Sequence, residues 1–498
     1  MRVLLKHKLE IAIFFGLIVL YFALRLPNLT SQPIFADEAI YIRWAQIMKS
    51  EPTLRFISLQ DGKTPLFMWA MIPLFKIFDD PLFAGRFLSV ISGFFTLLGV
   101  FALSWRVFNS RVALWAVLLY VIVPYTVFFD RMALVDSMLA AFSIWALFIA
   151  IWLLQKPRLD LAMILGYLLG GAWIVKTPAM LNLLALPFTV IGLNFKNLSK
   201  KSLFKLFLLW LVAILFAQLI YNSLRLGPEF NQLASRNGDY VFSLQELQGR
   251  PLDPFLPHFG DVKEWFMKLI TLPVTALILM GIYFSIKTKN RLSWAVLVWV
   301  LIPTLILMAF LKTFTARYLL FCVPPLLVIA AYGLDSLLKK VKLNYKTGTI
   351  LALILIVPLV FYNSYLLVTN FAAASLPHNE RAGYFEDWTA GYGFSEIAQY
   401  LLEENKKQPI VVGADGFFGT LPDGLYIYLD KANIPVVGSG ATVSAMLRET
   451  ASQKVTFFVS NTKEYVVLNK AELIKKYLKI KPLDKKPQEV IKLYRLLP

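Results

Sequence analysis

Residues 204–221 read FKLFLLWLVAILFAQLIY, a run of 18 residues whose single charge is Lys205. A helix that crosses the roughly 30 Å hydrocarbon core of a bilayer needs about 20 residues of this kind. Comparable apolar runs recur along the chain. They predict eleven membrane spans, near residues 10–26, 84–104, 112–129, 137–154, 161–176, 178–194, 204–221, 268–285, 292–311, 318–337 and 349–370. The sequence therefore predicts a mainly α-helical, multi-pass protein of the cell membrane.

The composition agrees with this class. Of 498 residues, 58% are apolar and only 16% are charged, whereas about a quarter are charged in soluble domains. The formal net charge of +19 is compatible either with nucleic-acid binding or with membrane topology. Its distribution indicates topology, because alternate loops hold 18 basic residues beside only Glu10, Asp160 and Asp335. These basic residues are Arg2, Lys6, Lys8, Arg106, Arg111, Lys156, Arg158, Lys196, Lys200, Lys201, Lys205, Lys287, Lys289, Arg291, Lys339, Lys340, Lys342 and Lys346.

Basic loops usually remain on the cytoplasmic side, so the N-terminus is predicted to be cytoplasmic and residues 371–498 extracytoplasmic. This assignment holds if the short apolar stretch 65–78 lies at the membrane interface and does not cross. The outer loops are then about 27–83 and 222–267. We expect no nucleic-acid partner.

The C-terminal segment differs in character from the rest of the chain. Its strand-like runs are Pro409–Ala414, Ile434–Val437, Val455–Ser460 and Glu489–Leu496, and its helical stretches lie near 394–405, 442–452 and 471–479. This alternation predicts a small α/β domain, so we divide the chain into a transmembrane domain, 1–370, and an extracytoplasmic domain, 371–498.

Two adjacent carboxylates, Asp37 and Glu38, open a helical pattern in the first outer loop that runs to about Met48. One interpretation is a helix cap, in which Asp37 accepts backbone N–H groups and Glu38 interacts with the helix dipole. The other is a general base that removes a proton from an acceptor hydroxyl. The two roles are compatible.

Several cations stand near the predicted outer ends of spans. They are Lys63, Arg86, Arg131, Lys176, Lys312 and Arg317. Each could extend its charge to the interface, or bind a phosphate at headgroup depth. Asp130 and Arg131 could also form an ion pair with each other. Asp136 stands at the start of the next span, where a structural role for its charge is harder to find. Convergence of these cations on one phosphate is a hypothesis.

Other kinds of site have little support. The single cysteine, Cys322, and the scattered histidines His7, His258 and His378 argue on composition against a Cys- or His-based metal site. The run Gly413-Ala414-Asp415-Gly416 after a predicted strand is either a ligand loop or a plain turn.

In order along the chain, these motifs resemble the GT-C membrane glycosyltransferases. The closest resemblance is to the protein O-mannosyltransferase and aminoarabinose-transferase group, glycosyltransferase family 39 and its relatives. The motifs are the Asp37-Glu38 pair with Tyr41, Lys63-Thr64-Pro65-Leu66, Gly85–Ser89, Arg131–Asp136, Gly170–Lys176, and Arg317-Tyr318 before Pro324-Pro325. Each motif is short, and the resemblance as a whole covers roughly residues 10–370, with the motifs in order. Phe385–Gly393 resembles a stretch in prokaryotic relatives that has no known role.

The resemblance implies a transferase that takes a sugar from a polyprenyl-phosphate carrier. By motif position, Asp37 corresponds to the catalytic base and Glu38 to an adjacent orienting carboxylate. Lys63 and Arg131, and also Lys176 and Arg317, correspond to cations near the carrier phosphate. The supporting residues are Asp136, Arg86, Arg43, Tyr41 and Tyr318. Aminoarabinose-type members tend to have an arginine directly before the tyrosine. Here that position is Ile40, and Arg43 follows one helical turn later.

The expected reaction is an inverting transfer to an acceptor hydroxyl, amine or phosphate oxygen on a protein, lipid or polysaccharide. It requires no cofactor, and the sequence leaves open whether a divalent cation takes part. A transporter or flippase of a lipid-linked sugar is the alternative, because it too needs many spans and cations at phosphate depth.

Overall fold

The computed structural model describes residues 8–194, 199–250, 252–341, 344–440, 442–484 and 486–498. Some residues used in the sequence analysis lie outside these ranges, namely Arg2, Lys6, His7, Lys196 and Lys342. The chain forms two compact units. The first unit comprises Met1–Pro27, Phe56–Phe67 and Ser89–Pro377, and the second comprises Asn28–Arg55, Met68–Leu88 and His378–Pro498.

Helices dominate the described chain. Up to residue 222 they are α1 Lys8–Arg25, α2 Ala36–Ser50, α3 Leu66–Met71, α4 Pro81–Val107, α5 Ser110–Ile122, α6 Pro124–Phe129, α7 Val135–Gln155, α8 Leu159–Val175, α9 Met180–Ala185 and α10 Lys200–Asn222. Beyond it they are α11 Gln232–Ser235, α12 Asn237–Tyr240, α13 Leu244–Gln248, α14 Phe255–Trp265, α15 Leu272–Lys287, α16 Arg291–Phe310, α17 Val323–Lys340, α18 Tyr345–Leu355, α19 Val357–Thr369, α20 His378–Arg381, α21 Phe394–Lys407, α22 Asp423–Leu429 and α23 Ala445–Ala451.

The strands are few and short. They are β1 Ile34–Phe35, β2 Ala390–Gly391, β3 Val411–Asp415, β4 Val436–Ser439, β5 Thr456–Lys463, β6 Ala471–Leu478 and β7 Glu489–Leu496.

Each of the eleven predicted spans coincides with a helix. Seven helical stretches of the described chain are long and apolar enough to cross a membrane: Pro81–Val107, Val135–Gln155, Lys200–Leu226, Phe255–Lys287, Arg291–Phe310, Ala316–Lys340 and Tyr345–Thr369. Three other predicted spans fall on the shorter apolar helices Ser110–Ile122, Leu159–Val175 and Thr177–Gly192, and the first falls on α1. The stretch predicted to lie at the interface forms the short helix Leu66–Lys76. The prediction of a polytopic, mainly helical membrane protein is confirmed.

Glycines allow close helix packing in the first unit. A Cβ at Gly281 of α15 would overlap the carbonyl oxygen of Ile329, and one at Gly333 of α17 would overlap that of Leu277. Small residues let neighbouring helices approach backbone to backbone, which is how membrane helices gain van der Waals contact. The packing of α15 against α17 therefore depends on these two glycines.

The second unit contains a five-stranded sheet in the order β4-β3-β5-β7-β6. Strand β3 lies between β4 and β5 and is parallel to both, whereas β7 is antiparallel to β5 and β6. Leu447 of α23 packs on one face with Phe458 of β5 and Tyr494 of β7. The predicted α/β character of the C-terminal segment is confirmed.

One predicted element of this segment is wrong. Residues near 471–479 were expected to be helical, but they form the edge strand β6, which pairs with β7 from Ala471↔Leu496 to Leu478↔Val490. A register shift between Leu473 and Lys475 interrupts the alternation of side chains that would have indicated a strand. Pairing with β7 therefore decides the conformation, because strand preference depends on the neighbouring strand.

The second unit also differs from the division predicted at residue 370. It includes two stretches of the predicted first outer loop, and one of them is joined to the C-terminal segment because β1 pairs antiparallel with β2 through Ile34↔Gly391 and Phe35↔Ala390. In addition, the Gln46 side chain on α2 donates a 2.8 Å hydrogen bond to the carbonyl oxygen of Ile427 on α22. The C-terminal segment is thus folded together with the helix that carries Asp37.

Candidate active site

Asp37 and Glu38 are the second and third residues of α2. The N-cap position is Phe35 rather than Asp37, and the Glu38 carboxylate accepts a 2.9 Å hydrogen bond from the Phe35 backbone N–H. Asp37 is partly exposed and lies in the first turn, where the helix dipole stabilises a negative charge. Glu38 therefore makes the capping contact that the sequence suggested for Asp37.

Glu38 and Arg86 form a fully buried ion pair. The Nε and Nη2 atoms of Arg86 each donate a 2.8 Å hydrogen bond to a different oxygen of Glu38. Arg86 also donates to the carbonyl oxygens of Leu29, Gln32 and Pro33, at 2.8, 3.1 and 2.9 Å. These contacts indicate that Arg86 fixes the chain leading into α2 and orients its first turn.

Arg43 connects α2 to α22. Its Nη1 atom lies 2.5 Å from the Asp430 carboxylate, and its guanidinium lies 4.9 Å from the centre of the Tyr426 ring. Tyr41 is buried on the same helix, with its ring centre 6.1 Å from that of Trp44. Arg43 therefore links α2 to the C-terminal part of the second unit, whereas Tyr41 packs within α2.

A cluster of charged residues lies in the first unit. The Lys176 ammonium is 2.6 Å from the Asp136 carboxylate and 4.2 Å from the centre of the Tyr318 ring. Arg317 lies 5.3 Å from the same ring centre. Lys63 and Arg317 are both within electrostatic range of Lys176. We call Lys63, Asp136, Lys176, Arg317 and Tyr318 the cation cluster.

The cation cluster also contacts residues of the segment 222–267, which the sequence predicts to be the second outer loop. The Lys63 ammonium donates a 2.9 Å hydrogen bond to the Tyr240 hydroxyl and lies 4.3 Å from the centre of its ring. Arg236 forms a 2.6 Å ion pair with Asp61, two residues before Lys63. Tyr240 and Arg236 were not among the predicted site residues, since in the sequence only the polar run Arg236–Tyr240 marks them.

Arg131 contacts the end of α1. Its Nη1 atom donates hydrogen bonds to the carbonyl oxygens of Arg25 and Pro27, at 2.7 and 2.8 Å. Asp130 pairs with Arg25 at 3.1 Å and accepts a 3.0 Å hydrogen bond from Tyr120, so the suggested Asp130–Arg131 pair is wrong. Arg25 had no distinguishing signal, since a single arginine at a span end is common.

The predicted site residues thus belong to two units. Lys63, Arg131, Asp136, Lys176, Arg317 and Tyr318 lie in the first, and Asp37, Glu38, Tyr41, Arg43 and Arg86 lie in the second. In the part of the chain that the structure describes, no group of three or more His, Cys, Asp or Glu side chains is arranged to hold a metal ion.

Comparison with solved structures identifies the fold. The chain is similar to ArnT from Cupriavidus metallidurans bound to undecaprenyl phosphate, with 14% identity and a TM-score of 0.59 over 98% of each chain. It is also similar to the Archaeoglobus fulgidus oligosaccharyltransferase in complex with Zn and sulfate, with 14% identity and a TM-score of 0.52 over 90% of this chain and 68% of that chain. A third similar structure is AglB of the same organism, in complex with an inhibitory peptide and a dolichol-phosphate. Its identity is 13% and its TM-score 0.51, over 92% of this chain and 70% of that chain. No curated protein matches the chain.

The chain shares the fold of a class of membrane proteins that includes ArnT and the archaeal oligosaccharyltransferase, and the resemblance of its ordered motifs predicted this fold. Within that class, residues 62–221 match the family model described as dolichyl-phosphate-mannose-protein mannosyltransferase. The matched region contains Lys63, Arg86, Arg131, Asp136 and Lys176.

Proposed function

We propose that the protein transfers a sugar from a polyprenyl-phosphate carrier to an acceptor hydroxyl, amine or phosphate oxygen, with inversion at the sugar carbon. The observation that carries the proposal is the cation cluster, in which Lys176, Arg317 and Lys63 are held near one another around Asp136 and Tyr318. The carrier leaves as a phosphate whose negative charge grows as the sugar–oxygen bond breaks. Fixed cations stabilise such charge most where water is scarce.

Each residue of the cluster has a distinct part in this proposal. Lys63, Lys176 and Arg317 bind the donor phosphate. Arg131 lies outside the cluster and donates to the carbonyl oxygens of Arg25 and Pro27, and its proposed contribution is to the same phosphate. Asp136 is buried and orients the Lys176 ammonium through the 2.6 Å ion pair. The Tyr318 ring contacts both cations, with its centre 4.2 Å from the Lys176 ammonium and 5.3 Å from the Arg317 guanidinium.

Asp37 is the proposed general base. In a single displacement it accepts the proton of the acceptor while the acceptor oxygen or nitrogen bonds to the sugar carbon and the carrier phosphate departs with the bonding electrons. Its place in the first turn of α2 supports this role, and the Glu38–Arg86 pair supports the orientation of that turn. A phosphate leaving group needs no general acid, so the mechanism needs no second carboxylate.

We also propose that the reaction takes place on the outer face of the membrane, with the N-terminus in the cytoplasm and residues 371–498 outside. The support is the concentration of basic residues in alternate loops. The acceptor is a protein, a lipid or a polysaccharide of the cell envelope.

An assay with purified full-length protein in nanodiscs, a polyprenyl-phosphate sugar and a soluble acceptor tests the base. Asp37→Asn should lower kcat by about 10²–10⁴-fold, the range expected for loss of a general base, while donor affinity is unchanged. Glu51→Gln, at the other end of α2, is the control and should keep its activity, because the new side-chain amide retains an oxygen that accepts from Thr53. Near wild-type turnover by folded Asp37→Asn would contradict the assignment.

A second arm tests the cation cluster and the transporter alternative. Lys176→Met should weaken donor binding, because it removes the charge paired with Asp136. If the wild-type protein binds the donor in an open detergent micelle and leaves it chemically unchanged with every acceptor class, the proposal fails and a transporter is favoured.

A further inference from the structure

Two sequence features that the proposed reaction does not use lie side by side in the second unit. They are Trp388, within Phe385–Gly393, and Asp415, within Gly413–Gly416. The Asn461 side chain donates a 2.7 Å hydrogen bond to the Trp388 carbonyl oxygen, and the Asn461 backbone N–H donates to the Asp415 carboxylate. A Cβ at Gly419, four residues after Asp415, would lie 4.0 Å from Cζ3 of Trp388. One residue, Asn461, therefore links the two motifs.

Asp415 stands at the carboxyl end of β3, where the chain reverses its direction across the sheet. From β3 the chain crosses to β4 on one side, and from β4 it crosses back over β3 to β5 on the other side. In open α/β sheets, ligands bind in the crevice outside the carboxyl ends of strands at such a switch point. The position of Asp415 is thus one at which this topology commonly places a ligand.

Aromatic side chains are exposed at this edge. Trp388 is 59% exposed and Phe417 is 73% exposed, and Phe418 beside it is half-exposed. Large exposed aromatic side chains that are grouped together commonly mark a binding surface. These rings provide uncharged contact area for a ligand.

The Trp388 backbone is held firmly despite the exposure of its side chain. The buried Lys479 ammonium donates to the carbonyl oxygen of Asp387, at 2.8 Å, and to the Asn461 side-chain oxygen, at 2.7 Å. Asn461 in turn holds the carbonyl of Trp388. A ligand that stacks on this indole therefore does not have to order the backbone that carries it.

Asp415 supplies the polar part of the surface. Its side chain is half-buried, and it accepts backbone N–H groups from Asn461 and Gly416. Burial raises the pKa of Asp415, while these two N–H groups act in the opposite direction. A carboxylate beside exposed aromatic rings suits a sugar, which presents C–H groups on the faces of its ring and hydroxyls at its edge. Small-molecule sites combine apolar walls with few fixed polar groups in this way.

The surface is connected to the start of α2. The Ala36 backbone N–H donates a 2.9 Å hydrogen bond to the carbonyl oxygen of Thr389. Trp388 directly precedes Thr389, and Asp37 directly follows Ala36. This one hydrogen bond therefore joins the neighbour of Trp388 to the neighbour of Asp37. On α2 itself, the Trp44 ring centre lies 5.9 Å from that of Phe418.

We propose that Trp388, Phe417 and Asp415 form a subsite for a neutral sugar unit, which stacks on the aromatic rings and donates hydroxyl hydrogen bonds to the carboxylate. The further assignment of this sugar to the acceptor rests on the proposed function. It follows from the connection of Trp388 to the chain that leads into Asp37. The acceptor is then a glycan or a glycolipid rather than an unmodified protein side chain.

Saturation-transfer difference NMR tests the binding itself. The full-length protein is placed in phosphatidylcholine nanodiscs, which carry no sugar, and mannobiose, cellobiose and diacetylchitobiose serve as soluble probes. At least one disaccharide should bind with a Kd of about 1 mM, as is ordinary for a single sugar contact. Trp388→Ala and Phe417→Ala should weaken it at least tenfold, and Asp415→Asn should also weaken it.

The control variant is Leu473→Ala. Leu473 is 48% exposed on β6, the outermost strand of the same sheet and three strands from β3. It should bind the disaccharide as the wild-type protein does. Failure of all three disaccharides to bind the wild-type protein, or equal binding by Trp388→Ala, overturns the proposal.

A spin label tests whether the surface instead contacts the membrane. The single native cysteine, Cys322, is buried, so a label introduced at Phe417→Cys reports on that position. The label should be accessible to a water-soluble relaxation agent. Accessibility only to a lipid-soluble agent identifies a membrane contact and overturns the subsite.

Transfer kinetics separate the two proposals. Disaccharide binding without any sugar transfer contradicts the proposed function and leaves the subsite in place. Transfer in which Trp388→Ala leaves the KM for a glycan acceptor unchanged contradicts the subsite and leaves the proposed function in place.

Discussion

At the scale of single residues, the Glu38–Arg86 pair shows how a buried charge is retained. Both side chains are fully buried, and Arg86 makes five hydrogen bonds, two to Glu38 and three to backbone carbonyl oxygens. A buried ion pair gains little net free energy over apolar residues of the same size, but removal of one partner leaves an uncompensated charge. The main contribution of the pair is therefore to hold the geometry of the first turn of α2. It adds little stability relative to an apolar pair of the same size.

Glu38→Ala should lower the free energy of unfolding by about 3–5 kcal/mol, because it leaves the Arg86 guanidinium buried without its carboxylate. The change should appear as a lower thermal midpoint of the full-length protein. Asp79→Ala, at an exposed carboxylate just before α4, is the control and should change stability by less than about 0.5 kcal/mol. The double change Glu38→Leu with Arg86→Met should recover part of the loss, and equal midpoints for Glu38→Ala and Asp79→Ala would contradict the argument.

Lys479 makes the stability of the protein depend on pH. Burial is the main cause that lowers the pKa of Lys479 to about 8, against the opposing charge of Glu489. Below pH 8 the folded and unfolded chains both hold the proton, so the cost of the buried charge is fully present. Between pH 8 and about 10.4 the folded chain releases a proton that the unfolded chain keeps, so stability rises with pH.

We therefore expect the thermal midpoint of the wild-type protein to rise relative to that of Lys479→Met as the pH increases from 7.5 to about 9.5. The comparison removes the effect of the other groups that titrate in this range, since both proteins share them. A difference between the two midpoints that is independent of pH, or one that changes in the opposite direction, is inconsistent with a depressed pKa.

At the scale of elements, the turn between β2 and α21 requires glycine. Gly393 has φ +72°, and a Cβ there would overlap the ring of Tyr477 on β6. L-residues pay about 1–2 kcal/mol in this left-handed region, and here the contact with Tyr477 adds to the strain. The close contact between this turn and Tyr477 on β6 therefore requires a residue without a side chain.

Gly393→Ala should destabilise the protein by at least about 1 kcal/mol, measured by thermal or denaturant unfolding. Gly383→Ala is the matched control, because a Cβ there would meet only an ordinary contact, 3.8 Å from the Thr389 hydroxyl. Equal stability of the two variants would show that Tyr477 and the backbone adjust without cost.

At the scale of the whole molecule, the second unit is built from distant parts of the chain. The helix α2 is tied to the C-terminal segment by the β1–β2 pairing, by Gln46 with Ile427, and by Arg43 with Asp430. A domain that merely recruits a partner or covers a site needs no such contacts with the helix that carries the proposed base. The C-terminal segment is therefore part of the fold that orients Asp37.

Deletion of residues 378–498 should abolish transfer even to a small soluble acceptor, because α2 loses its partners Ile427 and Asp430 and the strand β2. Transfer activity and donor binding are measured on the purified protein, and removal of Pro498 alone is the control. Since the cation cluster lies wholly in the first unit, donor binding should persist in the truncated protein. Full transfer activity after the deletion would show that α2 is held by other means.

The sequence allowed much of this fold to be predicted. Eleven apolar runs coincide with helices, and β7 begins and ends at the predicted residues, Glu489 and Leu496. These features depend on local composition, which determines whether a segment avoids water. The strand β6 was missed because its pairing with β7 outweighs the local pattern.

For the candidate site, the sequence by itself determined which residue types are present and in what order: an acidic pair, cations near span ends, and the motifs that resemble GT-C enzymes. Only the tertiary structure decided their partners. Arg86 proved to contact Glu38, Lys176 to contact Asp136, and Arg25 rather than Arg131 to contact Asp130. The reason is physical: burial in a membrane follows from the side chains of each segment, whereas an ion pair requires two segments, here separated by 40 to 105 residues, to meet at hydrogen-bond distance.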